Sequence, residues 1–210
     1  MLKPTEIQEE ELKNRFSRAW AKFNIHKQDL VNDKIPIHPR LKLFDATVTP
    51  TFLYCSEAWA LTQEMRDSIK SQQRKMLRCI AKCHRTFPNG SYTTEEYVDW
   101  VKKATSKVNL LMGRYGAQDW VYTQRGRKWE WANKIANMLD SRWTFEVIKW
   151  NPPEVKIRGR PKTRWSDDIN KYLTEITGRR YVDDDWVKLA RDKESWVLLK
   201  DGFALQPRKS

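Results

Sequence analysis

Four residues near the end of the chain, Tyr181-Val182-Asp183-Asp184, are of a kind that could do chemistry. Paired carboxylates after a Tyr-x spacing can hold two divalent metal ions for phosphoryl transfer. A hairpin presenting such a pair would have apolar strands on both sides, and neither flank reads as one. Arg179-Arg180 precede the pattern, and Asp185-Trp186-Val187-Lys188-Leu189-Ala190 follow it at helical spacing. A run of Asp at a helix start is accounted for by capping and the helix dipole. The acidic pair Asp167-Asp168 reads the same way. No catalytic residue is therefore expected. Cys79-x-x-x-Cys83-His84 could begin a zinc site, but only Cys55, His26 and His38 remain to complete four ligands and no second close pair exists. A buried thiol is the expectation, with no metal and no cofactor.

The cations carry more information. Arg66, Lys70, Arg74, Arg78 and Lys82 lie four residues apart, with no acid between Asp67 and Lys82. On a helix they form a winding ridge of about 24 Å beside the seam Met65, Ile69, Met76 and Ile80, suited to a phosphate backbone on one side and a core on the other. In Lys156-Ile157-Arg158-Gly159-Arg160-Pro161-Lys162-Thr163-Arg164, basic residues take every second position. Pro161 biases Arg160 toward an extended conformation, in which Lys156, Arg158, Arg160, Lys162 and Arg164 share one edge. Arg158-Gly159-Arg160-Pro161 resembles an AT-hook, whose flat Arg-Gly-Arg core enters a narrow minor groove. The alternative is a solvated basic linker. Trp129 and Trp143, flanked by Arg127, Lys128 and Arg142, are the aromatic candidates for stacking on bases.

The chain that must position these residues is 210 long, with 40 Lys+Arg against 27 Asp+Glu, a net charge of +13. Residues 1–90 hold 16 basic and 10 acidic residues and residues 91–210 hold 24 and 17, so the excess belongs to the whole chain. Such a charge is the footprint of a polyanion binder, RNA or DNA, or of a protein docking on an acidic partner. The 11 Trp can supply a core that a 40% apolar composition otherwise would not. Three cysteines argue against a disulfide framework and for a reducing compartment, nucleus or cytoplasm. No apolar run reaches the ~20 residues of a membrane helix, and the acidic N-terminal stretch is unlike a leader peptide.

Helical periodicity dominates, and the expected fold is mostly α. Leu12, Phe16, Ala19, Trp20 and Phe23 mark a first helix, and Leu41 to Trp59 a second stretch with a break at Pro50. A third runs from Thr62 to Lys82. Pro88-Asn89-Gly90 sets a boundary, giving a helical unit over 1–86 and a Trp-rich helical unit over 92–210 with the extended basic segment 151–164. Thr93 to Glu96 offers a capping box for a helix that buries Tyr97, Val101, Ala104, Val108 and Leu111 and ends at Gly113 and Gly116. A helix with Trp131 and Ile135 follows. Trp165, Ile169, Tyr172, Leu173 and Ile176 make another, ended by Gly178. A last one carries Trp186, Leu189, Ala190 and Val197 and stops at Gly202.

An ordered set of segments resembles the C-terminal part of non-LTR (LINE-type) retrotransposon reverse transcriptases. It comprises Arg40-Leu41-Lys42-Leu43-Phe44-Asp45-Ala46, Leu53-Tyr54-Cys55-Ser56-Glu57-Ala58-Trp59-Ala60-Leu61-Thr62, Gln73-Arg74-Lys75-Met76-Leu77-Arg78, Arg127-Lys128-Trp129-Glu130-Trp131-Ala132, Arg142-Trp143-Thr144, Gly159-Arg160-Pro161-Lys162-Thr163-Arg164-Trp165, and Trp186 with Ala190-Arg191-Asp192 and Trp196. The resemblance implies that the first unit is thumb-like, a helical grip on template–primer duplex, and that the second is a post-polymerase extension. It implies that the metal-binding palm, the fingers and any endonuclease lie outside this chain. The expected function is nucleic-acid binding without a complete active site; the alternative is a structural subunit of a larger protein or ribonucleoprotein assembly.

Overall fold

The computed structural model describes residues 4–85, 95–138, 143–149 and 164–205. All regular elements among them are helical: α1 (Pro4–Ile25), α2 (Lys27–Leu30), α3 (Ile37–Phe52), a 3-10 turn (Ser56–Ala58), α4 (Gln63–Ile80), α5 (Tyr97–Tyr115), α6 (Trp120–Ala136), α7 (Trp143–Lys149), α8 (Asp167–Thr177), α9 (Trp186–Arg191) and α10 (Lys193–Leu205). The expected mostly-α class is the observed one. The chain divides into two compact units, one of residues 1–54 with 63–121, the other of residues 55–62 with 122–210. The helix after the Pro88-Asn89-Gly90 turn, α5, packs on α4 and belongs to the first unit, on the other side of the expected 86/92 boundary.

The first unit is built on the seams that periodicity marks. Leu12, Ala19 and Phe23 of α1, Phe44, Val48 and Phe52 of α3, and Met65, Ile69, Met76 and Ile80 of α4 are all buried. Ala104, Val108 and Met112 of α5 close the core, whereas Tyr97, expected inside, is exposed. Trp120 stacks on Phe52 with centroids 4.2 Å apart. Pro50 does not break α3: it lies in the last turn, and Leu53 N still donates to Thr49 O (2.9 Å). Arg40 is buried and donates to the terminal carbonyl of Ile80 (2.8 Å), where a cation meets the negative end of α4. Lys82 follows the helix with φ +50°, while Cys83 N bonds Arg78 O and Lys82 N bonds Cys79 O. This is a Schellman cap with lysine where glycine is usual.

The second unit is organised by tryptophan. Trp129 and Trp196 stack 3.8 Å apart, each indole N–H donating to the other's carbonyl (2.8 and 2.9 Å). Trp186, Phe203, Tyr172, Ile169 and Leu173 surround the pair. Segment 55–62 is held by three side chains: Gln124 donates to Ser56 O (3.1 Å), Lys128 to Trp59 O (3.3 Å) and Trp165 to Glu57 O (2.8 Å). Gly116 and Gly178 end α5 and α8 in the left-handed region, at φ +66° and +70°; Gly113 stays inside α5. Two expectations change here. The last helix is two helices, because Asp192 caps α10 through Ser195 N and Oγ. Those bonds hold the Asp192 carboxyl below its usual range. Gly202 does not stop α10 but sits within it, where the Tyr172 hydroxyl leaves no room for a Cβ.

Candidate nucleic-acid interface

Successive members of the α4 ridge advance by ~40° around the helix, so the row winds from near the core to the opposite side. Its members meet different fates. Lys70 is exposed and Arg66 half-buried. Arg74 is mostly buried and spent internally, with Nη2 on Asp119 (2.7 Å), Nε on Asn109 (2.7 Å) and Nη1 on Gln73 (2.9 Å). Arg78 donates to Thr105 (3.1 Å). Lys82 lies beyond the helix and pairs with Asp33. Arg74 and Arg78 are thus turned to α5 while Lys70 stays exposed, and the row is not one continuous free face.

The Arg74 contacts belong to a polar lattice that fixes the turn into α6. Asp119 caps α6 through Val121 N (3.0 Å), and Gln73 joins Gln118 O (2.6 Å) to Trp120 N (3.1 Å). Trp120 Nε1 donates to Thr49 (2.8 Å), and Thr49 in turn to Asp45 (3.1 Å), which also accepts from Gln118 N (3.0 Å). Burial raises the Asp45 carboxyl above its usual range, against the pull of those two donors.

Further exposed cations lie on α5 and α3. Lys103, Lys107 and Arg114 fall within a ~40° arc of α5 and are all exposed. Lys103 is paired with Glu95 (2.6 Å). Lys107, Arg114 and, on α3, the exposed Lys42 have no ion pair among the described residues. His38, one turn before Lys42, stacks on Tyr115 at 5.4 Å, and Arg114 covers the same ring at 5.5 Å. Sequence reading missed this patch because its cations are scattered over two helices; their i, i+4 and i+11 spacing on α5 was the available signal.

In the second unit Trp129 is 1% exposed inside the stacked pair, so the expected base-stacking role gives way to a core role. Lys128 beside it is also buried, on Asp168 (2.8 Å) and over the Trp165 ring. Trp143 is 84% exposed and remains open to a stacking partner. Lys156, Arg158, Arg160 and Lys162 lie outside the described residues. Arg164 is described and pairs with Asp183. The Tyr181–Asp184 pattern forms a turn into α9, with Asp183 at φ +47° and its carbonyl accepting from Asn170 (3.0 Å). It is not a β-hairpin. Cys79 and Cys83 are free thiols, and burial pushes Cys83 up. Among the described residues no helix is long and apolar enough to cross a membrane.

No family model matches the chain, and no solved structure does. A transposon-derived protein of Caenorhabditis elegans, itself uncharacterized, is 26% identical over 192 residues. The aligned region covers 90% of this chain and 63% of that protein, so the chain spans less than two thirds of its relative's length. The similarity is to a protein of transposon origin.

Proposed function

We propose that the chain is a nucleic-acid-binding module derived from a non-LTR reverse transcriptase, without a complete catalytic site of its own. The observation that carries this reading is the set of exposed cations without acidic partners, Lys42, Lys107 and Arg114 with Lys70 on α4, on a chain whose net charge is +13. The ordered resemblance to the thumb and post-polymerase region, and a relative of transposon origin, support the ancestry. In this reading the first unit grips a phosphate backbone by charge, without reading sequence. The segment Lys156–Arg164 adds a second group of cations, and Trp143 an exposed ring. RNA and DNA both fit a backbone contact.

The test is duplex binding by fluorescence anisotropy. Lys107→Ala plus Arg114→Ala should weaken binding and flatten the log–log salt dependence by up to ~2 units; an unchanged slope with an intact fold overturns the assignment of these residues. Exposed Val197, Leu198 and Leu205 on α10 favour a second reading, a subunit docked in a larger assembly through apolar contact that salt does not weaken.

A further inference from the structure

The exposed cations Lys42 and Arg114 flank a histidine. His38 lies one turn before Lys42 on α3 and stacks on the Tyr115 ring, with centroids 5.4 Å apart and planes at 20°. The Arg114 guanidinium stands over the same ring at 5.5 Å. We infer that His38 is a further phosphate ligand of this patch, one that holds the backbone only when its imidazole is protonated. The inference rests on the nucleic-acid reading above and gives that same site a dependence on pH.

The ring is held and its polar atoms are unspent. His38 is half-buried and gripped by its face, and neither ring nitrogen has a hydrogen-bond partner among the described residues. Both nitrogens reach solvent, unlike Nε2 of His26, which is buried without a partner. Side chains four apart on a helix have Cβ atoms about 5–6 Å apart. A phosphate on Lys42 therefore lies within a Debye length of His38. A neutral imidazole offers one N–H, an imidazolium two, both charge-assisted, and histidine is the side chain that changes charge in the physiological range. A nearby phosphate favours the charged ring, so binding takes up a proton and affinity rises as pH falls.

The other charged groups at this end of α3 leave that role open. The elements packed here bring the acids Asp29 on α2, Asp33 before α3, Asp45 two turns along α3 and Asp119 after α5. Asp33 pairs with Lys82, Asp119 with Arg74, and Asp45 accepts from Thr49 and from Gln118 N. The acids of α1, α4 and α5 lie toward the far ends of those helices. The same end carries Lys22, Lys27, Lys34 and Arg40 besides Lys42 and Arg114, and Lys107 lies two turns before Arg114. A phosphate is the counter-charge this cluster lacks.

The test measures the affinity of the full chain for a mixed-sequence duplex carrying a pH-insensitive dye, at constant ionic strength, at about pH 6 and pH 8. The parent should bind at least about threefold tighter at the lower pH, with a log–log salt slope steeper by up to ~0.9. His38→Gln, and His38→Phe, which keeps a ring on Tyr115, should bind equally at both pH values. His38→Lys should hold the tighter affinity at both. A pH dependence that survives in His38→Gln and His38→Phe belongs to another group, Asp45 foremost, and overturns the assignment. Salt-dependent binding by the parent without pH dependence overturns it alone. No binding by the parent at either pH overturns it together with the nucleic-acid reading. Unfolding midpoints at both pH values check each fold, and the three substitutions are read independently.

Discussion

Replacing Gly202 by alanine tests the packing of the Trp-rich unit at one atom. A Cβ there would stand 2.2 Å from the Tyr172 hydroxyl oxygen and 3.3 Å from Cζ. The ring cannot swing aside cheaply: Tyr172 is 7% exposed, edge-on to Trp129 at 5.7 Å and to Phe203 at 5.6 Å. Overpacking of this kind costs about 1–3 kcal/mol. Because Gly202 lies inside α10, alanine's better helix propensity returns about 1 kcal/mol. The clash is severe enough for its cost to win, so Gly202→Ala should lose about 1–2 kcal/mol. In a Tyr172→Phe background the offending oxygen is gone, along with its bond to Leu199 O (3.3 Å). There the same Gly202→Ala change should be neutral or stabilising by up to about 1 kcal/mol. Urea unfolding followed by tryptophan fluorescence gives the four stabilities of the cycle, and the coupling should be at least ~1 kcal/mol. Equal destabilisation in both backgrounds, or a gain in the parent, would refute the close approach.

Arg74→Ala removes a mostly buried guanidinium from Asp119, Asn109 and Gln73. It should cost about 1–3 kcal/mol in unfolding measurements, while the affinity of the folded protein for duplex stays within about twofold. Trp129→Phe loses the indole bond to Trp196 O and leaves a gap in the stack, and should lower stability by about 2–3 kcal/mol without a selective loss of single-strand binding. Asp45 has a raised folded-state pKa, caused first by burial. Its contribution is therefore fully present below the unfolded pKa of about 3.9 and is lost as pH rises through the folded value. Relative to Asp45→Asn, which does not titrate, the parent should gain stability as pH is lowered from neutral toward 4. Parallel unfolding curves for the two across that window would contradict the assignment.

The parts of the fold legible in sequence are those where one local rule decides. The seam of α4, the buried Ile169, Tyr172 and Leu173 of α8 and the left-handed glycines Gly116 and Gly178 follow from period and backbone sterics alone, whereas Ile176, expected on the same face, is exposed. What was not legible depends on tertiary partners. Gly202 reads as a helix stop until Tyr172 is seen above it, and Pro50 as a break until it falls in a last turn. Trp129 looks exposed beside Arg127 and Lys128, but Lys128 is itself buried on Asp168. Arg74 and Arg78 count as surface cations until α5 supplies Asn109 and Thr105. The division of the last helix was readable: Asp192-x-x-Ser195 is a capping signature inside the apparent run.

In the proposed reading this chain holds nucleic acid through backbone charge. Its most direct test is the affinity of the unmodified protein for a mixed-sequence duplex, measured over about 50 to 200 mM salt. Three phosphate contacts, one each for Lys42, Lys107 and Arg114, predict a log–log slope of about −2.7. An affinity independent of salt over that range, or no binding at its low end with the fold intact, would contradict it.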